Sequence, residues 1–232
     1  MAKAILTIDD IPAKVSGPVC SFLHEKHIPF VMFFVGEWAV KSGLEDMAVD
    51  IIKSGVTIGN HTYTHPFLSQ LSYEEAIEEI EKNESMIENL YKIAGMERKA
   101  KIFRFPYIDK GGDNKEKIFK YLRENGFKKI DDRGVQNREY HDKGWDREPD
   151  VTFTFDCLEY EISGGGISFE TVMDRIQNGD RESNVNLLKD EGVNIILLHT
   201  HDHTNEAVPD YYMTMINAML DGGVEFLEPE YI

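Results

Sequence analysis

Acid–base and metal-binding side chains fall at a few places in this sequence. Asp9 and Asp10 stand together near the start, and His61 and His65 are four apart. Arg104 and Tyr107 flank Phe105-Pro106, and Glu159 and His199 come later. Two imidazoles four residues apart are separated by one helical turn, a spacing that lets both face one ion. Two histidines and a carboxylate, with one position left open, form a common catalytic Zn²⁺ set. Each signal is weak alone, because paired aspartates also cap helices and an H-x-x-x-H pattern also arises from core or surface histidines. What gives them weight is their shared placement at or just after short apolar runs.

Those runs, at 4–8, 30–35, 57–59, 102–104, 127–130, 151–155, 193–198 and 224–227, read as strands. Between them, helices are predicted near 13–26, 44–54, 73–93, 115–125, 169–177, 181–189 and 206–220. Ser72 with Glu75, and Asp113 with Glu116, have capping-box spacing, and Gly126 suits a helix end. Strands alternating with helices predict an α/β fold with a parallel sheet, open or closed. In a βα barrel, chemistry sits where the strands end, so the groups above could share one pocket.

Composition sets outer limits. The 232 residues fit one domain, 1–232, of ordinary globular make-up, with 41% hydrophobic and 11% aromatic residues. A net charge of −17 argues against nucleic acid as partner, since phosphate binding needs a basic surface. Cys20 and Cys157 read as free thiols rather than a disulfide framework. Met1-Ala2-Lys3 runs straight into an apolar strand, with no signal peptide or transmembrane segment. The chain as it stands therefore reads as cytoplasmic, or as secreted or envelope-bound if a longer precursor was trimmed.

The same stretches resemble, in order, the signature of the polysaccharide deacetylases, carbohydrate esterases related to chitin and peptidoglycan deacetylases. Thr7-Ile8-Asp9-Asp10 is similar to the T-F-D-D motif, and Gly59-Asn60-His61-Thr62-Tyr63-Thr64-His65-Pro66 to G-N-H-T-x-[ST]-H-P. Met32-Phe33-Phe34-Val35-Gly36 is similar to the second-strand motif, Arg104-Phe105-Pro106-Tyr107 to R-x-P-Y, and Leu197-Leu198-His199 to L-x-H. The resemblance implies an irregular (β/α) barrel of seven or eight mostly parallel strands. It also implies a metal held by Asp10, His61 and His65, most often Zn²⁺ with Co²⁺ or Ni²⁺ as alternatives.

Asp9 is then the general base, Arg104 its partner, the Tyr107 amide an oxyanion donor and His199 the acid. One motif departs: where the family has D-x-x-D-W, this chain has Asp156-Cys157-Leu158-Glu159-Tyr160. Glu159 is the preferred partner of His199, and Asp142 near Trp145 is the rival.

The stretch 131–150 has no clear period and reads as an insertion on the functional rim, with Trp145, Tyr140 and His141 available to a sugar. A solvated surface loop is an equally weighted reading. His201 and His203 read as loop histidines at the pocket rim, His24 and His27 as solvated, and Gly164-Gly165-Gly166 as a flexible turn. The expected activity is metal-dependent removal of N-acetyl groups from an acetylglucosamine-type oligo- or polysaccharide, a hydrolysis of non-peptide carbon–nitrogen bonds. An O-acetyl esterase on acetylated xylan and an impaired carbohydrate-binding relative are the alternatives.

Overall fold

In the computed structural model, residues 2–180 and 183–232 are described. The centre is strand β1 (Lys3–Ile11), flanked in the order β3-β2-β1-β5-β4 by β2 (Phe30–Phe34), β3 (Thr57–Asn60), β4 (Phe155–Asp156) and β5 (Val193–His199). β6 (Glu225–Phe226) also pairs with β1, and every ladder is parallel. All five residues of β2 are buried, as are eight of the nine in β1. Such continuous apolar runs are what a parallel sheet covered on both faces requires.

Helices α1 (Ser16–Glu25), α2 (Gly36–Ser42), α3 (Glu45–Lys53), α4 (Tyr73–Ala94) and α5 (Lys115–Glu124) follow the early strands. Helices α6 (Arg138–Asp142), α7 (Phe169–Asn178), α8 (Asp202–Ala207) and α9 (Tyr211–Asp221) come later. Most of the buried side chains from β1, β2, α1, α3, α7 and α9 join one core. α4 has the capping box expected at Ser72 and Glu75, and it ends on Gly95 in the left-handed conformation (φ 68°). No helix among the described residues is long and apolar enough to cross a membrane.

Several expectations change. The runs at 102–104 and 127–130 form isolated bridges, Asn60 to Phe103 and Ile102 to Lys128, so among the described residues six strands pair regularly rather than seven or eight. The segment 151–157 nevertheless hydrogen-bonds to Phe103 through the Val151 amide, and to Ile195 and Leu197 of β5 through Thr154 and Cys157. The two ends of the strand order are therefore tied through the 102–104 run by an isolated bridge and separate hydrogen bonds instead of a ladder.

α5 is preceded by Asn114 without a side-chain cap, so Asp113 and Glu116 form no box. The helix expected at 181–189 lies partly outside the described residues, and 183–189 forms turns and a single bridge residue. The helix expected at 206–220 is split into α8 and α9. Cys20 and Cys157 are free and buried.

Candidate active site

Consecutive strand residues point to opposite faces, so Asp9 and Asp10 should not share a pocket. They do, because the β1–β2 register shifts between Ile8 and Ile11, and Asp10 adopts a left-handed backbone (φ 67°). Such a conformation costs a non-glycine residue about 1–3 kcal/mol and persists where the surroundings enforce it. Asp9 is also the register partner of His199 in β5, which sets two groups of opposite chemical character side by side.

Arg104 fixes Asp9. Its Nη1 donates to Asp9 Oδ1 (2.7 Å) and to Thr7 Oγ1 (2.9 Å), while Nε donates to the Val151 carbonyl (2.9 Å). Both partners are only 3% exposed. Removing either leaves a buried charge uncompensated, a loss on the order of 3–5 kcal/mol. Asp9 Oδ2 stays directed at the centre, 3.4 Å from His61 Nε2.

His61 and His65 converge, but not through a helical turn. The segment after β3 is a bend, with Thr62 (φ 65°) and His65 (φ 59°) both left-handed. Asn60 Oδ1 accepts from the Thr62 amide, Thr62 Oγ1 accepts from the His65 amide, and Glu79 on α4 accepts from the amides of Tyr63 and Thr64. This clamp by Glu79 was not anticipated from sequence.

His61 Nδ1 donates to the Arg104 carbonyl (2.9 Å), which leaves Nε2 as a lone-pair donor. That nitrogen lies 3.2 Å from His65 Nε2, and Asp10 Oδ1 is 3.3 Å from His65 Nε2. The ligand atoms of Asp10, His61 and His65 all lie within 4.8 Å of one another. Asp10 Oδ1 is buried without a hydrogen-bond partner.

An orphaned carboxylate oxygen beside two facing imidazole nitrogens fits a divalent cation. Burial, with His61 alongside, lowers the His65 imidazole to about 4 and so favours its neutral, ligand-competent form. For Asp10, burial acts upward, but the His201 hydrogen bond and the surrounding imidazoles outweigh it and hold the carboxyl well below its usual range.

A second group sits across the cavity. An Asx-type turn, with the Leu158 amide donating to Asp156 Oδ1, and a left-handed Leu158 (φ 60°) present Glu159 to His199. Glu159 is fully buried, and its Oε1 accepts from both the amide (2.5 Å) and Nδ1 (3.1 Å) of His199. Burial opposes the imidazolium, yet Glu159 outweighs it and raises His199 to about 10. Burial also raises Asp156, to about 6, against the pull of His199. The Tyr160 ring packs on His199 at 4.6 Å, in the place the family motif gives to tryptophan.

Tyr107, in the short 3-10 turn Pro106–Ile108, has a left-handed backbone (φ 55°). Its ring stacks on Phe67 (4.0 Å) and meets the edge of His65 (4.6 Å). Trp38 and Tyr107 line a cavity of about 390 Å³ together with Asp9, Asp10, His61, His65, Arg104 and His199. An adjoining cavity of about 240 Å³ shares Ile108, Phe153 and Asp156 with it and reaches Trp145 in the 131–150 segment.

The other residues that the sequence offered to the sugar from that segment have partners within the protein. Tyr140 is buried and donates to Asp132 (2.9 Å), and His141 is engaged by Asp146 and the Val135 carbonyl. Asp142 is paired with Arg138 on the surface, away from His199. His201, expected at the rim, lines the cavity and also contacts Asp10, and its alternation with His199 was the available signal.

Similarity to known proteins agrees with this geometry. A peptidoglycan-N-acetylglucosamine deacetylase of Bacillus cereus is 31% identical over 127 residues, 54% of this chain but only 42% of that protein. The solved Bc1960 peptidoglycan N-acetylglucosamine deacetylase superposes with a TM-score of 0.68 at 21% identity, covering 97% of this chain and 85% of that one. BA3943 of Bacillus anthracis, described as a family 4 carbohydrate esterase pseudoenzyme, superposes with a TM-score of 0.62 at 20% identity. That match covers 96% of this chain and 63% of that one, and at such identities the two structures speak for the fold alone. The pattern of the polysaccharide deacetylase family matches residues 2–130, more than half of the sequence. The chain belongs to the polysaccharide deacetylase family.

Proposed function

We propose that this protein is a metal-dependent deacetylase that removes N-acetyl groups from an acetylglucosamine-type oligo- or polysaccharide. The observation that carries the reading is the pairing, across one cavity, of the Asp10–His61–His65 group with the charged Glu159–His199 pair. A divalent ion held by the first group, Zn²⁺ before Co²⁺ or Ni²⁺, would polarise the acetyl carbonyl and acidify the attacking water.

The remaining work belongs to side chains of this chain. Asp9, tied through Oδ1 to Arg104, has Oδ2 available to take the proton of the attacking water. The Tyr107 amide donates to the oxygen that gains charge as the carbonyl becomes tetrahedral. His199, held as imidazolium by Glu159, gives its proton to the departing amine. The adjoining cavity that reaches Trp145 supports an oligomeric substrate. It also supports reading 131–150 as an insertion within a single 1–232 catalytic unit.

Acetate release tests the reading on chitooligosaccharides, peptidoglycan fragments and acetylated xylan, each with and without chelator. Release from the amide-linked substrates, abolished by chelation and restored by Zn²⁺, is expected. Release from xylan alone would make the protein an O-acetyl esterase, and release from none would make it an impaired binding relative.

A further inference from the structure

We infer that His201 is a positioning residue that dictates which oxygen of Asp10 faces the ion, an inference that rests on the metal reading above. The two adjacent aspartates are arranged alike. Asp9 gives Oδ1 to Arg104 and keeps Oδ2 toward His61. Asp10 gives Oδ2 to His201 Nε2 (2.8 Å) and keeps Oδ1 toward His65 (3.3 Å) and His61 (3.7 Å). That inner oxygen is the one left buried without a hydrogen bond. His201 itself is not part of the group of mutually close ligand atoms, so its contact with the centre runs through Asp10.

Ring neighbours flank the imidazole, whose Nδ1 is buried without a hydrogen-bond partner. Its ring stacks on His203 at 4.7 Å and 28°, and lies 5.4 Å from the His199 ring. The backbone on either side is pinned to the β1–α1 corner: the Thr200 amide donates to the Asp9 carbonyl, and Asp202 accepts from the amides of Lys14 and Val15. A hydrogen bond to one carboxylate oxygen directs the other toward the two imidazoles. Outer partners of this kind typically change metal affinity by about 10–100-fold when removed.

The test is a chelator-competition titration of Zn²⁺ into metal-free wild-type protein, His201→Ala and His201→Gln, with the melting temperature of each metal-free form. The expected result is a Zn²⁺ affinity about 10–100-fold weaker in His201→Ala. Recovery to within about threefold of wild type is expected in His201→Gln, whose side-chain amide can still donate to Asp10. The metal-free melting temperatures should be alike. An alanine variant with wild-type affinity would overturn the inference. So would a glutamine variant that folds normally yet binds as weakly as alanine. Wild-type protein that binds no Zn²⁺ would overturn both this inference and the metal reading. A failure to release acetate would leave the titration, and therefore His201, untouched.

Discussion

Two groups of carboxylates and imidazoles face one cavity, and their surroundings tune them in opposite directions. In the Asp10–His61–His65 group, burial and a neighbouring imidazole hold His65 neutral at about 4. In the Glu159–His199 pair, a fully buried carboxylate bonded twice to one histidine raises it to about 10. Both groups combine acids with histidine, and both hold their ligand atoms within 4.8 Å. Residue type therefore does not assign the role. The difference lies in whether a histidine's closest partner is another imidazole or a dedicated carboxylate. A neutral imidazole offers a lone pair to a cation, while a charged one offers a proton to a leaving group.

Substitutions at Asp9, His199, Glu159 and Trp145 probe this contrast, from the largest expected effect to the smallest. Asp9→Asn should keep the metal and lose about 10²–10⁴ in kcat, the usual scale for a general base. It should also lower the melting temperature, because Arg104 is left buried beside a neutral partner. Loss of metal in this variant would show that the two aspartates have exchanged roles.

His199→Ala should slow amide substrates by about 10²-fold or more while leaving activated esters little affected, since their leaving groups need no proton. Equal losses on both substrates would give His199 a structural role. Glu159→Gln should act more gently. The acid must be charged to donate, and Glu159 favours the charged form, so the alkaline limb of the rate profile should move to lower pH. An unmoved limb would transfer the partnership to Asp156.

Trp145→Ala is expected to have the smallest effect. It should raise KM for longer oligomers by about two- to tenfold, the worth of one aromatic contact, with little change on a minimal acetylated sugar. Unchanged KM at every chain length would leave the 131–150 segment without a part in binding.

Much of this was readable in advance where the determinants are local. The buried runs of β1, β2 and β5 and the capping box of α4 follow from apolar patterning and short-range hydrogen bonds. The convergence of Asp10, His61 and His65 was legible from residue type and order, yet the geometry offered for His61 and His65 was different. A helical turn was expected, whereas a left-handed bend clamped by Glu79 brings them together. No local pattern could show that clamp, because Glu79 acts from a helix begun many residues later.

The sharing of one pocket by Asp9 and Asp10 depends on a register shift between strands, which is a tertiary fact. Tyr140 was assigned to the sugar from its aromatic character, but its hydroxyl satisfies Asp132 inside a small core. The runs at 102–104 and 127–130 carry strand-like residues, but the surrounding hydrogen bonding yields only bridges there.

The contrast between the two groups is tested most directly by metal content in two variants measured side by side. Elemental analysis of His61→Ala and His199→Ala, each loaded with Zn²⁺ and freed of excess, reads which group holds the ion. The expected result is an empty His61→Ala and a His199→Ala that keeps the metal of the wild type. A His199→Ala that loses the ion, or a His61→Ala that retains it fully, would contradict the division of labour between the two groups.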